Sequence, residues 1–141
     1  MYQISISERI LHFKQPAGTS RGVYTTRKSY LLSLTSDRKP GIVGIGECAP
    51  LPDLSCDALS DYAKVLREIC DIYCMSGRIP YEMLRPYPSM LFGLETAVAQ
   101  YDADGSPVLF DTPFSRGEEG IPINGLIWMG TFEEMYNRIE E

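Results

Sequence analysis

Along the first third of the chain, hydrophobic residues recur mainly at every second position. Ile4 and Ile6 alternate with polar neighbours, and Ile10, Leu11 and Phe13 continue the pattern loosely. A half-buried strand has this period of two, so Tyr2–Phe13 is predicted as a strand. Lys14–Gly22 (KQPAGTSRG) gathers Pro, Gly, Thr and Ser and is predicted as a loop. Val23–Thr35 resumes the β pattern through Tyr24, Tyr30, Leu32 and Leu34, and Ser36–Gly41 (SDRKPG) is a turn. Ile42–Glu47 (IVGIGE) is a third, glycine-rich strand. Its missing side chains predict that another element approaches its backbone closely. Three consecutive strands joined by short connections predict an antiparallel meander.

After the proline-punctuated loop Ala49–Ser55 (APLPDLS) the period changes. Leu59, Tyr62, Ala63, Leu66, Ile69, Cys70, Tyr73 and Cys74 recur at three- and four-residue spacing, with charged residues opposite. This predicts an amphipathic helix with Ser55 as N-cap, Asp57 near its positive end and Gly77 as its stop. Ile79–Pro88 is a short connection with room for one helical turn. A second helix is predicted over Ser89–Asp102, with Met90, Leu94, Ala97, Val98 and Tyr101 inward. Gly93 inside it costs about 1 kcal/mol against Ala, which predicts close packing there. Ala103–Gly120 is irregular, and Ile121–Trp128 (IPINGLIW) reads as a strand. Thr131 caps a last helix with Phe132, Met135, Tyr136 and Ile139 on one side. A strand leading into a helix begins a βαβ series, and a parallel strand needs a neighbour reached by a crossover. Either residues 121–141 fold back locally or the natural chain continues.

Composition narrows the function classes. With 141 residues, 44% hydrophobic and 23% charged, the chain has ordinary globular character, not that of a disordered or collagenous one. No apolar run reaches the roughly 18–20 residues of a membrane helix, and the N-terminus has no secretory pattern. Thirteen Lys and Arg against nineteen Asp and Glu leave a net charge of -6 with no dense basic run. Nucleic acids and anionic membranes are therefore not expected partners. Four cysteines are too few for a disulfide scaffold of this size, so reduced thiols and a cytoplasmic location are expected. The single histidine, His12, leaves little room for zinc sites or Ser-His and Cys-His machinery.

Few motifs carry chemistry. Cys70 and Cys74 share a helix side but lack further donors nearby in sequence, and are read as buried inert thiols. Gly44-Ile45-Gly46-Glu47 lacks the third glycine and the following helix of a dinucleotide loop. The adjacent carboxylates of Arg116–Gly120 are read as solvated. Ala17–Gly22 pairs hydroxyls with a fork-shaped cation and suits either a carboxylate-binding loop or a plain hairpin loop. No set of residues supplies nucleophile, base and orienter together.

The order of segments is nonetheless distinctive. Thr19-Ser20-Arg21-Gly22 precedes a strand, and Gly44-Ile45-Gly46-Glu47-Cys48-Ala49-Pro50-Leu51-Pro52 and Leu54-Ser55 precede a helix. Pro88-Ser89-Met90-Leu91-Phe92-Gly93-Leu94-Glu95-Thr96-Ala97 follows. Together they resemble the N-terminal capping domain of the enolase superfamily and, within it, the o-succinylbenzoate synthases of menaquinone biosynthesis. The resemblance covers about residues 1–102, and Ile121–Gly130 looks like the family's first barrel strand.

What the resemblance implies is an α+β fold, a three-stranded meander followed by helices, that caps a (β/α) barrel. On that basis residues 1–102 are the cap, 103–120 a linker, and 121–141 the start of a truncated barrel. The family is a lyase, a dehydratase, that uses Mg²⁺; its acid/base lysines and metal carboxylates lie on later barrel strands. No catalytic residue or metal ligand is therefore assigned in this chain. Substrate contacts are expected from Thr19, Ser20, Arg21, Gly22, Leu51 and Pro52, on two loops that close over a small-molecule carboxylate. Expected partners are that substrate and the chain's own barrel domain. Without the barrel, residues 121–141 would be disordered, would pack on the cap, or would join a second copy as a homo-oligomer. Two other readings share these features: the cap of a dipeptide epimerase or muconate cycloisomerase, and a free-standing, non-catalytic binding module.

Overall fold

The computed structural model describes residues 1–140. Three strands, β1 (Tyr2–Thr19), β2 (Gly22–Ser36) and β3 (Gly44–Cys48), form one sheet in the order β1-β2-β3. Four helices follow: α1 (Tyr62–Ser76), α2 (Tyr81–Leu84), α3 (Pro88–Asp102) and α4 (Phe132–Glu140). The chain divides into two compact units. The larger comprises Met1–His12 and Thr26–Leu109; the smaller comprises Phe13–Thr25 and the chain from Phe110 onward.

In the larger unit β2 and β3 pair antiparallel, from Tyr30 opposite Cys48 to Leu34 opposite Gly44. The period of two in β2 turns Tyr30, Leu32 and Leu34 to one side, where they are buried. They meet Tyr62, Leu66, Ile69, Cys70 and Tyr73 of α1 and Met90, Leu94, Ala97 and Tyr101 of α3 in one hydrophobic cluster. Ile4 and Ile6 of β1 flank it. Tyr30 stacks on Tyr62 with ring centroids 5.2 Å apart.

The glycine-rich strand fits its prediction. A Cβ on Gly46 would lie 1.8 Å from the Gly93 carbonyl oxygen, and one on Gly93 would lie 2.3 Å from Cys48 Sγ. β3 and α3 therefore touch backbone to backbone, an approach only hydrogen side chains permit. Gly77 ends α1 in the left-handed conformation, φ 65°, and its N–H donates to the Tyr73 carbonyl.

Four expectations are corrected. Lys14–Gly22 is not a loop: β1 continues to Thr19, and only Ser20 and Arg21 form the turn. Pro16 is tolerated because β1 is an edge strand. α1 begins at Tyr62 with Asp61 as its N-cap, so Ser55 is not the cap, Asp57 is not in the first turn and Leu59 is exposed. Ala63 of that helix is also exposed rather than inward. Residues 121–128 carry no strand. A strand exists only as half of a hydrogen-bonded ladder, and that stretch has no ladder partner among the described residues.

In the smaller unit, α4 starts with reciprocal capping. Thr131 Oγ1 accepts the Glu134 N–H at 3.3 Å, while Glu134 Oε2 accepts the Thr131 N–H at 2.7 Å and its hydroxyl at 3.0 Å. Phe132 stacks on Tyr136 along the helix. That apolar side is uncovered: Phe132, Tyr136 and Ile139 are exposed, as are Ile121, Ile123 and Leu126 before them.

Candidate functional site

The first predicted group lies at the tip of the β1-β2 hairpin. Thr19 Oγ1 accepts the Arg21 N–H and donates to the Gly22 carbonyl, both at 3.1 Å. The hydroxyl thus closes the turn that presents Ser20 and Arg21. All four residues, Thr19, Ser20, Arg21 and Gly22, are solvent-exposed. They come together in this single turn.

Leu51 and Pro52 belong to the other compact unit. They sit on the exposed crown of the segment from Ala49 to Ala58, where Leu51 retains 38% of its surface. The segment is hydrogen-bonded onto itself. The Leu51 carbonyl accepts the N–H groups of Leu54 at 3.2 Å and Ser55 at 2.9 Å, and Ser55 Oγ accepts the Leu51 N–H at 2.9 Å. Asp53, next to Pro52, is held at φ 59°, a conformation that costs a non-glycine residue about 1 kcal/mol or more.

Both ends of this loop are fastened by residues that sequence reasoning did not single out for that role. At its start, Arg27 of β2 donates from Nη2 to the Ala49 carbonyl at 3.1 Å. At its end, Asp57 is fully buried. Its Oδ2 accepts the Ser89 N–H at 2.9 Å and the Ser89 hydroxyl at 2.5 Å. Tyr62 O–H then donates to Ser89 Oγ at 2.6 Å, since the Ser89 proton is already committed. Burial pushes the Tyr62 hydroxyl far above the usual tyrosine range, with the Ser89 bond pulling the other way. The Cys48 thiol is pushed up to about 12 by burial. The sequence signal for Asp57 was present but misplaced: an acidic residue ahead of a helix pattern, serving a different helix.

The remaining motifs take the plainer reading. Arg116 holds Glu118 through a two-pronged contact, 2.8 and 2.9 Å, and Asp111 at 2.5 Å, an exposed ion-pair cluster. Cys70 is buried and its thiol is pushed up to about 12 by burial, which keeps it unreactive. His12 is exposed. Among the described residues no group of three or more His, Cys, Asp or Glu side chains converges to hold a metal ion. No helix among them is long and apolar enough to cross a membrane.

Comparison with known proteins places this geometry. A family model described as MenC, N-terminal domain, matches residues 2–101. The chain is 31% identical to the o-succinylbenzoate synthase of Desulfotalea psychrophila, over 98% of this chain and 45% of that protein. It therefore spans about half the length of the curated relative it matches. The crystal structure of MenC from the same organism superposes with a TM-score of 0.67 at 25% identity, covering 99% of this chain and 45% of that one. An o-succinylbenzoate synthase from Thermosynechococcus elongatus, solved with Mg in its active site, gives a TM-score of 0.50 at 26% identity over 76% of this chain and 31% of its own. An enolase family member from Agrobacterium tumefaciens with homology to dipeptide epimerases shares the fold, with a TM-score of 0.62 at 14% identity over 98% of this chain and 42% of its own. An antiparallel meander with two helices seated on it, one of them directly on glycines, over the residues that the family match covers, makes this chain a member of the MenC N-terminal domain family, with the α+β capping fold of the enolase superfamily.

Proposed function

We propose that this chain is the N-terminal, capping part of an o-succinylbenzoate synthase. That enzyme is a cytoplasmic lyase that removes water from a succinyl-hydroxycyclohexadiene carboxylate to give o-succinylbenzoate. One observation carries the reading: the chain aligns over 98% of its length with a synthase of which it spans 45%. In this reading residues 1–102 are the cap, 103–120 a linker and 121–141 the beginning of the barrel domain, which is the chain's principal partner. The exposed apolar side chains of Ile121, Ile123, Leu126 and Ile139 support this, because burying them needs a partner surface.

The cap's part in the reaction is to admit the substrate and shut out water. The hairpin tip offers the Arg21 guanidinium and the hydroxyls of Thr19 and Ser20 to a carboxylate. Leu51 and Pro52 offer apolar contact to a ring, on backbone fixed by internal hydrogen bonds. The Mg²⁺ of the reaction does not fit the residues described here, since no acidic cluster converges among them. Its ligands are assigned to the barrel, and no chemical step is assigned to this chain.

The purified chain, supplied with Mg²⁺ and the cyclohexadiene substrate, is expected to give no o-succinylbenzoate by absorbance or chromatography. Turnover at enzyme-like rates by these 141 residues alone would refute the division of labour. Reading the gene past codon 141 separates the binding-module alternative. A frame continuing into a (β/α) barrel supports the synthase, and a stop codon favours the module. Assaying the complete product on dipeptides and muconolactone-type substrates separates the other superfamily reactions.

A further inference from the structure

The chain places a carboxylate, Asp57, in the protein interior, and among the described residues no arginine or lysine is bonded to it. Burying a charged or polar group is costly unless hydrogen bonds replace its water. Here the replacement reaches Oδ2 alone, from the first turn of α3, while Oδ1 has no hydrogen-bond partner among the described residues. Pro88 opens that helix and has no N–H to offer, and its N-cap residue, Tyr87, makes no side-chain capping bond. The open amide end is served instead by a residue 32 positions upstream, through the Ser89 N–H and hydroxyl.

An N-cap from the helix's own flank would satisfy the same donor with a solvent-exposed side chain. Capping from a distance does something more: it ties the loop that ends at Asp57 to the helix. The other end of the loop is tied by Arg27 to Ala49. Between the ties, the bonds of Leu51 with Leu54 and Ser55 close the backbone on itself, and Asp53 is kept in a left-handed conformation. Such a conformation persists only where its surroundings over-determine it. A loop so held does not have to be ordered when a ligand arrives, which removes part of the entropic cost of binding.

We propose that Asp57 is a positioning residue, which through Ser89 fastens the Ala49–Ala58 loop to α3 and so sets Leu51 and Pro52 in place before any ligand binds. The importance of that position for a substrate rests on the capping role proposed above; the fastening itself does not. Asp57 touches no substrate and takes no part in proton transfer. Removing it frees the loop while leaving the sheet and α1 in their packing.

Amide hydrogen exchange, read by NMR on the 141-residue chain and on Asp57→Ala, Asp57→Asn and Ser89→Ala, tests this. In Asp57→Ala the amides of Leu54 and Ser55 should exchange about tenfold faster or more, while those of Ile69 and Cys70 in α1 stay within about threefold. Asp57→Asn keeps an oxygen that accepts from Ser89 and should recover much of the protection. Ser89→Ala retains only the backbone donor and should fall between. Unchanged loop exchange in Asp57→Ala would overturn the proposal. So would a rise by the same factor in the loop and in α1, which marks a loss of overall stability. If Asp57→Ala does not fold, Ser89→Ala, which loses the hydroxyl bond, is judged by the same two outcomes. Dehydration activity judges the substrate reading; exchange needs no ligand and judges the fastening alone.

Discussion

Replacing Gly46 by Ala adds one methyl group at the closest contact between β3 and α3. That carbon would stand 1.8 Å from the Gly93 carbonyl oxygen, 2.8 Å from the Gly93 carbonyl carbon and 3.0 Å from the Ala97 nitrogen. Comfortable non-bonded separations are about 3.5 Å, so the strand and helix must part by roughly 1.5 Å. All three obstructing atoms are backbone, and no rotamer change relieves the clash. A gap of about 1 Å already forfeits up to half of the dispersion attraction along an interface. Overpacking typically costs about 1–3 kcal/mol, and a backbone collision lies at or above the upper end. Ala in a strand regains about 0.5–1 kcal/mol over Gly. The net expectation is a loss of about 2–3 kcal/mol, seen as a melting temperature lower by about 10 °C. Urea and thermal unfolding followed by far-ultraviolet circular dichroism measure it. Gly120→Ala is the control, because a Cβ there meets nothing within 4 Å, and its stability should be unchanged. Gly93→Ala should also destabilise, and adding Cys48→Ala should restore part of the loss by removing the sulfur 2.3 Å away. A Gly46→Ala protein as stable as the parent, or more so, would refute the reasoning.

Three further outcomes follow from burial and protonation. Burial raises the Cys48 and Cys70 thiols from 9.0 to about 12 and the Tyr73 hydroxyl from 10.0 to about 12. The unfolded chain therefore gives up these protons first: stability should be whole below about pH 9 and decline as pH rises toward 12, read from urea midpoints at pH 7, 9 and 10.5. By the same burial, a thiol reagent should modify exposed Cys56 in the native protein and reach Cys48 and Cys70 only on unfolding; equal rates would contradict the core assignment. At the other extreme, the Thr131 backbone N–H, followed by its hydroxyl, holds the Glu134 carboxyl below its ordinary value of 4.5. The helical character of α4 should be present above pH 4.5 and weaken as pH falls below it, with α1 unaffected, in residue-resolved Cα chemical shifts.

The legible elements were those whose signal is local and repeated. The period of two in Tyr30, Leu32 and Leu34 and the three-four spacing of Leu66, Ile69, Cys70 and Tyr73 each fix one buried side without knowledge of what covers it. Gly93 was legible as a contact because a glycine inside a helix is a cost that something must offset. The hairpin tip was found by residue identity, but its extent was not. Turn-forming residues mark where a chain can bend, whereas the β1-β2 ladder decided that only Ser20 and Arg21 do. The strand predicted over residues 121–128 erred in the opposite sense, because β propensity without a partner makes no hydrogen bonds.

The sequence by itself determined the meander, the two long helices, the absence of any dense basic run and the family resemblance, since each is written in spacing, composition or short ordered motifs. Tertiary structure alone decided that Gly46 faces Gly93, that Asp57 serves a helix starting at residue 88, and that Arg27 fastens a loop beginning at residue 49. Those contacts join residues 22 to 47 positions apart, and which distant donor meets which acceptor depends on how the sheet and helices pack, a relation no local period encodes.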